Sequence, residues 1–199
     1  MKDTHLSKSI NTTLKSQFCN FFELNKSSSI RKLLKEASEQ GLVEMQYNEL
    51  RNDKTIFSFY ISYEAETAYL TDWEMTFAFN KKTGNLLTID SLISKSKRNA
   101  FVNALKKMQR DSMSSYKKEI LAEYKMGDIE KEDYDYAIEH TKNNCWEYFS
   151  VKTFKLYSDS MEIRIDCEFP NLYKSISPPS IFTLPTNQLN HFIKLEYIN

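Results

Sequence analysis

Four carboxylates, Glu64, Glu66, Asp72 and Glu74, gather around the turn between Tyr63 and Trp73. Paired carboxylates do acid and base work: one protonates a leaving group while the other, held ionised, attacks or activates water. With aromatic rings beside them they would also suit a sugar polymer. A carbohydrate-active hydrolase using Glu64, Glu66, Asp72 or Glu74 is therefore a second alternative to a non-enzymatic reading of the chain. Another expectation is a glycan-binding surface built from Tyr63, Glu64, Glu66, Tyr69, Asp72 and Glu74, with Trp73 close by. The plainer account is a wet sheet face, on which Glu64, Asp72 and Glu74 supply the charge that solubility needs.

A second acidic run lies further on. Asp128, Glu130, Glu132, Asp133, Asp135 and Glu139 are opposed by Lys131 alone, whereas the stretch from Lys97 to Lys125 is mostly basic. Two helices of opposite charge would attract each other. The sharper reading makes Glu130, Glu132, Asp133, Tyr134, Asp135, Tyr136 and Glu139 a docking surface for a basic protein. Aromatic anchors ringed by carboxylates suit interfaces, and opposite charge speeds encounter.

Other chemistry has little to stand on. His5, His140 and His191 are far apart, and His140 and Cys145 are five residues apart, poor spacing for a shared helix face. The histidines read as solvent-exposed or capping. Cys19, Cys145 and Cys167 lack metal-ligand spacing and read as buried, inert thiols; their odd number leaves at least one free or paired between chains. No P-loop, G-x-S-x-G or H-E-x-x-H motif occurs, and three glycines are too few for a phosphate cradle. No catalytic residue, cofactor or metal is expected, and the chain reads as non-enzymatic.

The elements that must hold these residues come from a chain of 199 residues, 41% hydrophobic, with 13 Phe and 12 Tyr, enough for a substantial core. A formal net charge of zero argues against a nucleic-acid surface and leaves a protein partner, or a glycan. No run is long and apolar enough to span a membrane. The polar, periodic start shows no leader, which leaves two compartments open: cytoplasmic as read, or the cell envelope if a leader was removed.

Periodicity predicts helices to about Phe22 and over 30–40, with an N-cap among Ser27 to Ser29 and a stop at Gly41. Alternation predicts strands from Val43, across Phe57 to Tyr63, and over Trp73 to Asn80, the last closing in a Lys81–Gly84 hairpin loop. Helices from about Lys97 to Met126 and from Ile129 to Trp146 are split by Gly127. Strands over 151–157 and 161–169 and a closing helix from Thr186 to Glu196 complete the order. The whole reads as one α+β domain, helices on one face of an antiparallel sheet, with a helical insert between strands. Its parts are a helical start (1–42), strands and hairpin (43–93), the insert (94–148) and strands with the closing helix (149–199).

The strand and turn Asn80-Lys81-Lys82-Thr83-Gly84-Asn85-Leu86-Leu87-Thr88-Ile89-Asp90-Ser91-Leu92 and the tail Ser177-Pro178-Pro179-Ser180-Ile181-Phe182-Thr183-Leu184-Pro185 resemble the RsiV-like domain family (DUF3298, often preceded by a DUF4163 segment). The glycine that usually precedes the paired prolines is absent. The resemblance spans about residues 43–193. It implies a binding or sensing module, since members include the outer domain of a lysozyme-sensing anti-sigma factor and an accessory domain of peptidoglycan deacetylases. It implies no catalytic residues. An intracellular immunity or inhibitor protein that neutralises a basic toxin is the alternative.

Overall fold

The structure, a computed structural model, describes residues 4–66, 70–147, 153–165, 167 and 169–197. Among these are six α-helices and two three-stranded antiparallel sheets, an α+β fold. The chain divides into two compact units, residues 1–92, 155–158 and 195–199 in the first and 93–154 and 159–194 in the second.

In the first unit, helices α1 (Thr4–Phe21) and α2 (Ile30–Glu39) precede strands β1 (Leu42–Asn52), β2 (Ile56–Glu66) and β3 (Leu70–Asn80). Ser29 caps α2 by accepting from the Lys32 amide, as its residue type favours. The strands form a meander in the order β1-β2-β3. In β2 and β3 successive side chains face opposite ways, so Phe57, Phe59, Ile61 and Tyr63 share a face with their cross-strand partners Phe79, Phe77, Met75 and Trp73.

Phe59, Phe77 and Phe79 stack at centroid distances of 5.2 to 6.4 Å, and Leu6, Ile10 and Leu14 of α1 pack on them. Each ring buried this way contributes ~1.5–3 kcal/mol. The first turn, at Asn52 and Asp53, is held by the Asp53 carboxylate, which accepts from the amides of Thr55 and Ile56. The second is the expected hairpin loop, with Gly84 at φ 72° and Ser9 donating to the Gly84 carbonyl. Arg51 pairs with Asp53 and also donates to the Tyr197 carbonyl.

The joint between α2 and β1 depends on a glycine. Gly41 takes φ 98°, and a Cβ there would lie 2.1 Å from the Glu66 carbonyl oxygen. Its own carbonyl accepts from the Glu66 amide at 2.8 Å.

In the second unit, α4 (Arg98–Met126) and α5 (Lys131–Glu147) are the expected insert. The short α3 (Ile89–Leu92) belongs to the first unit. Gly127 ends α4 at φ 82°, where its amide and that of Asp128 reach back to the Glu123 carbonyl, a glycine-terminated helix end. Phe101, Leu105, Gln109, Met113, Tyr116 and Ile120 form the buried stripe of α4. Met113, Tyr116 and Ile120 join Ala137 and Cys167 in a core to which Tyr134, Ile138 and Phe169 add.

The second sheet has the order β4 (Thr153–Leu156), β5 (Ser160–Arg164), β6 (Ile181–Pro185). Of the strand expected over 161–169, β5 covers the part to Arg164. The Ile165 amide still donates to the carbonyl of Ser180, just before β6, and residues 166 and 168 lie outside the described residues. The expected alternation still holds in burial, with Met161, Ile163, Ile165 and Cys167 all inside. The closing helix is likewise shorter than expected. After one turn, α6 (Thr186–Leu189), the chain turns so that Ile193 bridges Ile93.

Candidate functional site

The sheet carboxylates sit on one face, and the rings expected beside them do not. Glu64 lies directly opposite Asp72 on β3 and opposite Glu44 on β1, while Glu74 lies opposite Ser62. These are even-numbered positions. Tyr63 and Trp73 are odd and point into the helix-covered face, where Phe21 lies 5.0 Å from the Tyr63 ring and 5.3 Å from Trp73. The expected combination of carboxylates with Tyr63 and Trp73 is therefore split by the period-2 geometry of the strand. Tyr69 lies outside the described residues.

Glu66 is exposed at the end of β2, and Glu44, Asp72 and Glu74 are exposed as well, with Glu64 half-buried. What results is a cross-strand row of acids rather than a pair facing across a cleft. Lys155 is the partner that spacing along the sequence could not reveal. Its Nζ lies 2.8 Å from Glu74 Oε2 and 4.3 Å from the centroid of Tyr60, which shares this face.

Tyr63 carries a different signal. It is buried, and its hydroxyl has no hydrogen-bond partner among the described residues. Burial holds its ionisation well above the ordinary tyrosine range, so the hydroxyl remains a donor. Tyr116 in the second unit is the contrast. Burial first, and then the Glu123 carboxylate, push it up to about 12, and its hydroxyl donates to the Ile176 carbonyl.

The acidic run of the insert lies along α5. Ala137 and Thr141 face inward, while Glu132, Asp135 and Glu139 are exposed at i, i+3 and i+7 and so form one stripe. Glu130 is exposed just before the helix and Asp133 is half-buried. Lys131 pairs with Asp135 at 3.0 Å across one turn. The two tyrosines are engaged within the protein. Tyr134 stacks on Tyr124 of α4 at 4.9 Å, and Tyr136 stacks on Tyr173 at 3.8 Å.

His140 is neither solvent-exposed nor a cap. It is half-buried, its Nε2 lies 2.9 Å from the Cys167 carbonyl and its Nδ1 lies 3.2 Å from the Tyr136 hydroxyl. A carbonyl only accepts, so Nε2 carries the hydrogen, and in the neutral ring Nδ1 accepts from Tyr136. Phe169 packs edge-on to His140 at 4.5 Å. Cys167, expected as an inert thiol, is disulfide-bonded, whereas Cys19 is free and buried. Among the described residues no group of three or more His, Cys, Asp or Glu side chains could hold a metal, and no helix is long and apolar enough to cross a membrane.

No family model matches the sequence, and no curated protein matches it. Among solved structures, the chain is similar to a DUF3298 family protein from Pseudomonas aeruginosa PAO1. The two are 13% identical with a TM-score of 0.44, over 76% of this chain. This chain spans 62% of the length of that protein. A likeness at this level establishes neither a common fold nor a common function.

Proposed function

We propose that the chain is a non-catalytic binding or sensing module that docks a basic protein through the acidic stripe of α5. The observation that carries this is the exposure of Glu132, Asp135 and Glu139 in one line on a helix whose opposite face is fixed in the core. The stack of Tyr136 on Tyr173 stiffens the flank of that line, and a preorganised surface loses less entropy on association. An acidic line steers a cationic partner and makes its binding salt-sensitive.

Two further observations support this reading over its rivals. The carboxylates of the first sheet stand in a row on a face rather than across a cleft, which disfavours hydrolysis. The disulfide at Cys167 suits an oxidising compartment and so favours an envelope module over an intracellular immunity protein. The RsiV-like resemblance suggests lysozyme as the basic partner to try.

Binding of lysozyme to the immobilised chain, at low and high salt, tests the proposal. The triple variant Glu132→Lys/Asp135→Lys/Glu139→Lys should lose at least about tenfold in affinity, equivalent to ~1.4 kcal/mol, and most of the salt dependence. Undiminished capture by the variant, or capture of peptidoglycan fragments without lysozyme, would sink it.

A further inference from the structure

The first unit contains a groove of about 480 Å³ between α1, α2 and the ring-bearing face of the sheet. That volume falls within the span of small-molecule sites, roughly 300–1,000 Å³. Its walls are apolar, with Leu14 and Phe18 from α1, Leu33 and Leu34 from α2, and Ile61 and Met75 from the sheet. The mouth stays apolar too, since Ile30 is 67% exposed, Met45 47% and Leu34 40%.

Four polar residues stand in this lining, and the two that are not fully exposed, Lys15 and Tyr63, define what it could take. Lys15 is the one charged side chain among the described lining residues, and Tyr63 brings the buried hydroxyl without a partner. An ammonium can only donate, and the Tyr63 hydroxyl has a hydrogen to give. The complementary ligand group accepts hydrogen bonds and carries negative charge. A long apolar body suits the remainder, because apart from the exposed Asn11 and Thr12 of α1 the lining is apolar.

We propose that this groove binds a single-chain anionic amphiphile of the fatty-acid class, with the hydrocarbon between α2 and the sheet and the carboxylate held by the donors Lys15 and Tyr63. The site lies on the first unit and does not depend on the α5 stripe. A second copy of the chain or a partner helix could also cover an apolar mouth, but neither would call for an anion at Lys15.

Laurate below its micellar concentration, measured by displacement of a fluorescent fatty acid from the full chain, is the probe. The wild type should bind it saturably at one site and bind the uncharged dodecanol more weakly. Lys15→Glu should lose about tenfold or more for laurate, close to 1.4 kcal/mol per tenfold step, with little change for dodecanol. Lys15→Gln, a milder change at a half-buried helix position, should fall between. Circular dichroism melts of both variants establish that they fold. The absence of saturable laurate binding, equal laurate affinity in folded Lys15→Glu, or self-association that excludes laurate would each overturn the proposal.

Discussion

Glu64 and Asp72 face one another directly across the β2–β3 ladder, a pair of like charges in one cross-strand position. Glu44 extends the row on β1. Like charges directly opposite destabilise a sheet, on the scale of ~0.2–1 kcal/mol per pair. Asp72→Lys should therefore add stability in that range at neutral pH, read as a higher urea midpoint, and the gain should shrink as salt screens the strand face. An unchanged or lowered midpoint at low salt would show that the row is relieved in some other way.

The two glycines at φ 98° and φ 82° make a controlled comparison. Gly41→Ala faces both a left-handed backbone and a Cβ 2.1 Å from the Glu66 carbonyl oxygen, whereas at Gly127 nothing lies within 4 Å. Gly127→Ala should cost ~1–2 kcal/mol, the penalty for a side chain in the left-handed region. Gly41→Ala should cost clearly more, because the β2 backbone must also move. Equilibrium denaturation of both variants checks the order, and equal costs would mean that the α2–β1 joint yields easily.

Asp53 supplies a pH signature. Burial pushes its carboxyl up, but the amides of Ile56 and Thr55, the Arg51 guanidinium and the Thr55 hydroxyl together outweigh that and hold it well below the usual carboxylate range. A depressed folded value means that the ionised group stabilises the fold above the unfolded value, about 3.9, and that this contribution fades as pH falls through the folded value. Asp53→Asn should accordingly be less stable than wild type at pH 7, with the gap closing below about pH 4. Urea melts at several pH values test this, and a gap that stayed constant down to strong acid would contradict it.

Much of this architecture follows from local patterns. The Ser29 cap, the rings of β2 and β3, the hairpin at Gly84 and the break at Gly127 each rest on residues within a few positions of one another. What local pattern could not supply is long-range. His140 bonds a carbonyl 27 residues away, Lys155 reaches Glu74 across 81, and the Ile165 amide finds the Ser180 carbonyl. Leu189 and Ile193 are spaced as if on one helix, yet Ile193 is drawn into a bridge with Ile93. At the candidate sites the acids were legible as exposed charge. Their separation from Tyr63 and Trp73 was already implied by odd and even numbering, although nearness in the chain suggested a single cluster.

That alternation along β2 has a consequence for how the strand tolerates change. Deleting or inserting one residue between Ile56 and Glu66 would exchange the two sides, sending Glu64 toward α1 and Tyr63 into water. Among the even positions Ile56 and Ser58 are buried, whereas Tyr60, Ser62, Glu64 and Glu66 are at least partly open, and replacements there leave the aromatic layer untouched. The strand thus behaves as two interleaved texts, one open to rewriting only beyond Ser58 and the other closed, bound together by a reading frame that must never slip.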